Sequence, residues 1–389
     1  MKKKKICIIT GSRADYGILS FFLKKIQHDK DFDLKLIVTA THLVPKYGNT
    51  FKEILKDNIK IFKKVKLPLK DDRAIDISKA TASGIIKYTE ELSKIKPDLV
   101  LVLGDRFESL AFSIASLYLN LPIAHLHGGE STLAAIDDAI RHSISKMANF
   151  HFVSHINYKK KLINMGENPK NIFIIGSLGV ENIKKVNLFD RAQIEKRLNL
   201  KLSSNNFLLT FHPETIGKNK IHQNIHSFSR MILKKFKDAI IIVTSPNIDM
   251  GNSKIFNKII SISKKNKKNI IFKKSLGKKM YFSILKHCRI VIGNSSSGVI
   301  EVPSFNIPTI NIGDRQSGRI KAKSVIDCKN DIKSFKFALN KSLSKSFLRE
   351  IKFSKNPYYK KNCSKNLINI LKRIKIKNET AKKFYEKQN

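Results

Sequence analysis

The sequence predicts an α/β fold of two doubly wound domains, on three observations. Short, wholly apolar runs recur along the chain, and each is followed by a stretch with helical periodicity, the alternation of parallel sheets covered by helices. That alternation pauses once, in a polar helical stretch from about residue 176 to 204, and then restarts. The apolar runs end repeatedly in glycine beside charged or hydroxyl residues, at the strand ends where open α/β sheets bind ligands.

A chain of 389 residues has room for two or three domains with sizeable cores. No apolar run reaches the length of a membrane span. The opening MKKKKICIIT has too short an apolar part for a signal segment, with charge returning at Arg13. It reads as a first strand, and the protein is expected in the cytoplasm. Cys7, Cys288, Cys328 and Cys363 lie far apart, without CxxC or histidine pairing, which fits a reducing compartment and argues against a structural zinc. The formal net charge is +44, mostly lysine spread over the whole chain. Such a spread reads as solvated basic faces; no nucleic-acid-binding pattern accompanies it, so neither nucleic acid nor a membrane is an expected partner. An anionic small substrate fits it.

Taken in order, residues 5–10 form a strand that turns through Gly11-Ser12-Arg13 into a helix from Ile18. A glycine turn there can bring backbone N–H groups to a phosphate, and Arg13 adds a two-pronged donor. Residues 34–40 are the next strand, and Pro45 to Thr50 a loop before another helix. Residues 77–93 are helical, stopped by Pro97. Residues 99–103, a helix over 107–119, and residues 121–126 then make a βαβ unit. Its strands end in Gly104-Asp105-Arg106 and His127-Gly128-Gly129-Glu130. A helix over 139–149 and strands at 150–153 and 172–175 complete the first half. After the polar stretch come strands at 207–211, 239–244, 270–272, 290–292 and 309–312. The basic amphipathic segment at 367–374 is expected to pack back on the body. The domains are therefore placed at 1–175 and 176–362, with the C-terminal helix, about 363–389, returning to the first.

Asp105 and Glu130 each follow a buried strand, and Asp137, Asp138, Arg141 and His142 begin the next helix. Spacing of four sets Asp137 beside Arg141 and Asp138 beside His142. Carboxylates gathered at strand ends can act as general acid and base once their surroundings separate their pKa values; helix capping and surface ion pairs are the plainer alternative for the two helical aspartates. His127 is read either as a functional imidazole or as a satisfied core histidine. In the second half, Gly293-Asn294-Ser295-Ser296-Ser297-Gly298 offers hydroxyls and N–H groups without the lysine of a P-loop, which argues against ATP hydrolysis. His212-Pro213-Glu214-Thr215 and Gly313-Asp314-Arg315-Gln316 close two further strands.

The stretches GSRADYGI from Gly11, YGNT from Tyr47, LGDRFE from Leu103 and HLHGGESTLAAIDDAIRHSISKM from His125 form one ordered set. It continues with IGSLGVEN from Ile175, FHPET from Phe211, GNSSSGVIEVPS from Gly293, TINIGDRQSGR from Thr309 and NPYYK from Asn356. Together they resemble the hydrolysing UDP-N-acetylglucosamine 2-epimerases of bacterial sialic and legionaminic acid synthesis. The resemblance implies two Rossmann-like domains facing across a cleft, as in GT-B glycosyltransferases. It implies conversion of UDP-N-acetylglucosamine and water to UDP and N-acetylmannosamine through a glycal. A sister activity uses UDP-N,N′-diacetylbacillosamine, and a GT-B glycosyltransferase is the further alternative. Carried over by motif, Arg13, Arg106, His212, Asn247, Ser295, Ser296, Glu301 and Arg315 are expected to hold UDP, with Glu301 on the ribose. Asp105 and Asp137 match acid–base positions. His127 stands where some relatives carry glutamate, with Glu130 as a residue that shares its load. No metal or redox cofactor is expected; a UDP-sugar is the expected partner and a homo-oligomer the expected assembly.

Overall fold

The structure, a computed structural model, describes residues 3–216, 221–245, 251–376 and 382–386. Two compact units emerge. Unit 1 comprises Met1–Glu130, Asp137–Asn182 and Tyr358–Asn389; unit 2 comprises Ser131–Ile136 and Ile183–Pro357.

Unit 1 is built on seven parallel strands: β1 (Lys4–Thr10), β2 (Phe32–Thr39), β3 (Lys63–Val65), β4 (Leu99–Leu103), β5 (Ile123–Leu126), β6 (Phe150–Val153) and β7 (Ile172–Ile174). Their order is β3-β2-β1-β4-β5-β6-β7. The apolar runs are continuous rather than alternating because both sheet faces are covered. Ile6, Ile8, Leu99 and Leu101 pack on one face with Leu19, Phe22 and Leu23 of the helix Arg13–Gln27. Cys7, Ile9, Val100 and Val102 pack on the other, with Tyr88 and Leu92 of the helix Ala74–Ile95 and Phe112 of the helix Phe107–Tyr118. Leu367, Ile368 and Leu371 of the helix Cys363–Arg373 join the first cluster. Each such buried side chain contributes roughly 1.5–3 kcal/mol. The start of that helix is tied down by Glu181, whose carboxylate accepts from both the backbone N–H and the hydroxyl of Ser364.

Unit 2 has six parallel strands, β8 (Asn206–Thr210), β9 (Ile240–Thr244), β10 (Ile270–Lys273), β11 (Cys288–Gly293), β12 (Thr309–Ile312) and β13 (Val325–Cys328). They run in the order β10-β9-β8-β11-β12-β13. Phe207, Leu209, Ile290 and Ile292 face Phe228, Ile259 and Phe335 on one side. Leu208 and Val291 face Ile194, Met280 and Leu285 on the other. Two strands are additions to the sequence reading. Both β3, with the sequence KKV, and β13, with VIDC, are edge strands. Edges stay short and carry charge, which hides them from an apolar-run criterion.

No helix among the described residues is long and apolar enough to cross a membrane. Also among them, no group of three or more His, Cys, Asp or Glu side chains is disposed to hold a metal ion.

Candidate active site

In each sheet the strand order reverses once, between β1 and β4 in unit 1 and between β8 and β11 in unit 2. The carboxyl ends on either side of such a reversal are where doubly wound sheets open to ligands.

In unit 1, β1 stops just before Gly11, Ser12 caps the following helix by accepting the Asp15 N–H at 3.3 Å, and Arg13 opens that helix. Across the reversal, β4 runs through Gly104 (φ 75°) into Asp105 and Arg106. A left-handed turn here lets the chain leave the sheet sharply, which glycine does without steric cost. Arg106 donates through Nε to Glu108 at 2.9 Å, and Glu108 is wholly buried. A Cβ on Gly11 would collide with the Glu108 carboxylate, so this acid sits directly under the first strand's turn. The carboxyl of Asp15 is pushed up to about 6 by burial, against the pull of Arg106 and reinforced by Glu108. Burial lowers the Arg13 guanidinium, with Glu53 opposing.

The next strand end is densely bonded. His127 follows β5 at φ 63°, unusual for a residue with a Cβ. Its backbone N–H donates to the Phe152 carbonyl at 3.0 Å, and its Nδ1 lies 2.7 Å from Glu130 Oε1. An ionised carboxylate only accepts, so Nδ1 is the nitrogen that donates to Glu130, and Nε2 is the ring nitrogen that this bond leaves over. Ser154 donates to the same oxygen at 2.9 Å, and Glu130 is 1% exposed. His127 and Glu130 are thus one hydrogen-bonded pair. Beneath them, His125 bridges the Gly104 carbonyl at 2.7 Å and Ser145 at 3.1 Å. Burial drops the His125 imidazole to about 3 and keeps it neutral.

Asp137 is the first residue of the helix Asp137–Met147 and is half-buried. One turn on, Arg141 is buried; it is ion-paired with Asp105, donates to the Glu130 carbonyl at 3.0 Å, and lies 3.6 Å from Asp138. His142 lies 3.5 Å from Asp138. Burial lowers its imidazole pKa, while Asp138 raises it. The helix therefore delivers its arginine to the ends of β4 and β5.

In unit 2, β8 leads through Phe211 to buried His212, β11 ends at Gly293 and leads into Asn294-Ser295-Ser296, and β12 leads into Gly313-Asp314-Arg315-Gln316. Glu301 closes the short helix Ser296–Ile300 and donates its own N–H to the Ser297 carbonyl at 2.9 Å. Arg315 is 7% exposed, and the Asp314 N–H donates to Glu214 at 2.9 Å. The segment Ser131–Ile136 belongs here: the Ile136 N–H donates to Thr215 Oγ1 at 2.9 Å. Asn247 lies outside the described residues. Three residues beyond the proposed set also hold the strand ends together: Glu108, Arg141 and Asn294. Glu108 carried one sequence signal, a lone acid in the first turn of an otherwise apolar helix.

Residues 24–372 match the family described as UDP-N-acetylglucosamine 2-epimerase. The chain belongs to that family. It is 40% identical to the GDP/UDP-N,N′-diacetylbacillosamine 2-epimerase (hydrolyzing) of Campylobacter jejuni, across 89% of each chain. It is 37% identical to the polysialic acid biosynthesis protein P7 of Escherichia coli, across 98% of this chain and 97% of the relative. It is 33% identical to the UDP-N,N′-diacetylbacillosamine 2-epimerase (hydrolyzing) of Legionella pneumophila, across 98% of each. Among solved structures, the UDP-GlcNAc 2-epimerase of Neisseria meningitidis, bound to UDP-GlcNAc, matches with a TM-score of 0.81. The two are 17% identical over 95% of this chain and 100% of that one, a likeness of fold. Two Rossmann-like units are the fold of the family.

Proposed function

We propose that this member of the 2-epimerase family is a hydrolysing enzyme that converts a UDP-sugar bearing a 2-acetamido group, with water, into UDP and the free 2-epimeric sugar. The observation that carries this reading is the constellation Asp105–Arg141 and His127–Glu130 at the ends of β4 and β5. It occurs in a chain whose relatives at 40% and 33% identity are named as hydrolysing epimerases.

In the reaction, the C2 proton is removed as the C1–O bond to UDP breaks, leaving a 2-acetamidoglycal. Water then adds across the double bond, its oxygen to C1 and a proton to C2 on the opposite face. Two proton-transfer groups are required, one for each face of the ring. His127 suits one of these roles, because Glu130 holds its Nδ1–H and leaves Nε2 to accept or deliver a proton. We assign the other to Asp105, paired with and aimed by Arg141, with Asp137 at the start of the same helix assisting. Loss of UDP places charge on the diphosphate, and Arg13, Arg106, His212, Ser295, Ser296 and Arg315 are the assigned donors. Asn247 joins them by sequence, and Glu301 accepts from the ribose hydroxyls. All four cysteines are buried and free, which supports a reducing, cytoplasmic setting.

For the sugar we favour UDP-N,N′-diacetylbacillosamine over UDP-N-acetylglucosamine, since two of the three relatives described carry the former name. Side-by-side turnover of the two UDP-sugars tests this. The reading expects UDP release from both or either, faster with the diacetylated sugar. A reversed preference overturns the choice of sugar, and UDP release only in the presence of an acceptor overturns the activity.

A further inference from the structure

Asn294 lies between three strand ends of unit 2, is wholly buried, and follows a glycine that nothing else can replace. Gly293 adopts φ 139°, and a Cβ there would run into the Thr210 carbonyl of the neighbouring strand. That approach lets the asparagine side chain continue the ladder after β8 and β11 stop pairing. Its Oδ1 accepts the His212 N–H at 2.7 Å, and its Nδ2 donates to the His212 carbonyl at 2.9 Å. These two bonds join residues 82 positions apart. On the other side, the Asn294 carbonyl accepts from Gln316 Nε2 at 2.9 Å and from Arg315 Nη1 at 3.5 Å. Gln316 is itself wholly buried. One residue therefore bonds both backbone polar groups of His212, two residues past β8, begins the serine turn after β11, and anchors the arginine loop after β12.

We propose that Asn294 is a positioning residue for the nucleotide: it locks the loops bearing His212, Ser295–Ser296 and Arg315 into one register, so that they bind the diphosphate as a unit. This rests on the assignment of those residues to UDP. The physical ground is preorganisation. Donors fixed before the ligand arrives lose no freedom on binding, whereas loops that must be ordered by the ligand weaken it. Apolar truncation would also take the Asn294 bonds away from the buried His212 N–H and carbonyl, a cost met by local rearrangement of that loop.

The test is UDP titration by calorimetry with Asn294→Ala, Asn294→Asp, His212→Ala, Arg315→Ala and the double variants Asn294→Ala/His212→Ala and Asn294→Ala/Arg315→Ala. Thermal unfolding accompanies each to confirm a folded protein. We expect Asn294→Ala to weaken UDP binding roughly 10- to 100-fold. Asn294→Asp keeps an acceptor for the His212 N–H, so it is expected to stay folded and recover part of that loss. Because the loops act through one brace, the losses in each double variant should fall well short of the product of the singles. A folded Asn294→Ala that binds UDP within about threefold of the unmodified protein overturns the proposal, as do losses that multiply in both doubles. Should Asn294→Ala not fold, Asn294→Asp decides alone: unmodified affinity overturns the proposal, and a weakened but folded binder supports it. Failure of the unmodified protein to bind UDP would instead overturn the nucleotide assignment itself.

Discussion

Arg141 reaches from the second turn of its helix to the carboxylate of Asp105, thirty-six positions earlier in the chain, and is 1% exposed in doing so. The same guanidinium holds the Glu130 carbonyl. A buried cation between the ends of β4 and β5 sets the aim of the candidate acid–base groups. Arg141→Met would leave the Asp105 carboxylate without its main partner, and removing one member of a buried pair costs several kcal/mol. Since Asp105 keeps some contact with water, we expect about 2–3 kcal/mol, read as a lowered melting temperature. Loss of the cation also frees the Asp105 side chain from its aim, so turnover should fall while UDP affinity stays within a few-fold. Unchanged turnover in this variant would assign Arg141 to packing alone.

Asp105→Asn removes a proton acceptor while preserving shape. Turnover should fall at least about a hundredfold, with UDP affinity held within a few-fold. Wild-type turnover in this variant would return the base to Asp137 or to the His127–Glu130 pair.

Asp15 offers a pH test whose sign is fixed in advance. Its carboxyl is raised from 3.8 to about 6, chiefly by burial. Between those values the folded state holds a proton that the unfolded chain has released, so this group's contribution to stability falls as pH rises through the window. Asp15→Asn should therefore melt with the unmodified protein near pH 4 and about 2–4 °C above it near pH 7.5. An equal difference at both pH values would contradict burial as the cause.

Much of this architecture could be read before the structure, for a physical reason. A parallel strand buried on both faces is a run of apolar residues, and its carboxyl end must change composition abruptly; 99–103 and 150–153 were legible to the residue. Edge strands escape the same reasoning, as β3 with its two lysines shows. Helical spacing placed Arg141 beside Asp137, yet its partnership with Asp105 depends on how a helix docks across two strands, which no local period encodes. Glu108 looked like a first-turn helix acid but is the wholly buried partner of Arg106. The pairing of His127 with Glu130 was open to inspection at i,i+3, but it needed the left-handed φ at His127 to become a hydrogen bond. Asn294 was visible only as one letter of a serine-rich turn.

The central claim is hydrolysis with inversion at C2, and isotopes test it most directly. UDP-N,N′-diacetylbacillosamine, and separately UDP-N-acetylglucosamine, are incubated with the protein in D2O containing 18O-labelled water, with no acceptor present. The account predicts UDP free of 18O and a free sugar that is inverted at C2 and carries deuterium there. A 2-epimeric sugar still attached to UDP, or a released sugar with its original C2 configuration and proton, would contradict it.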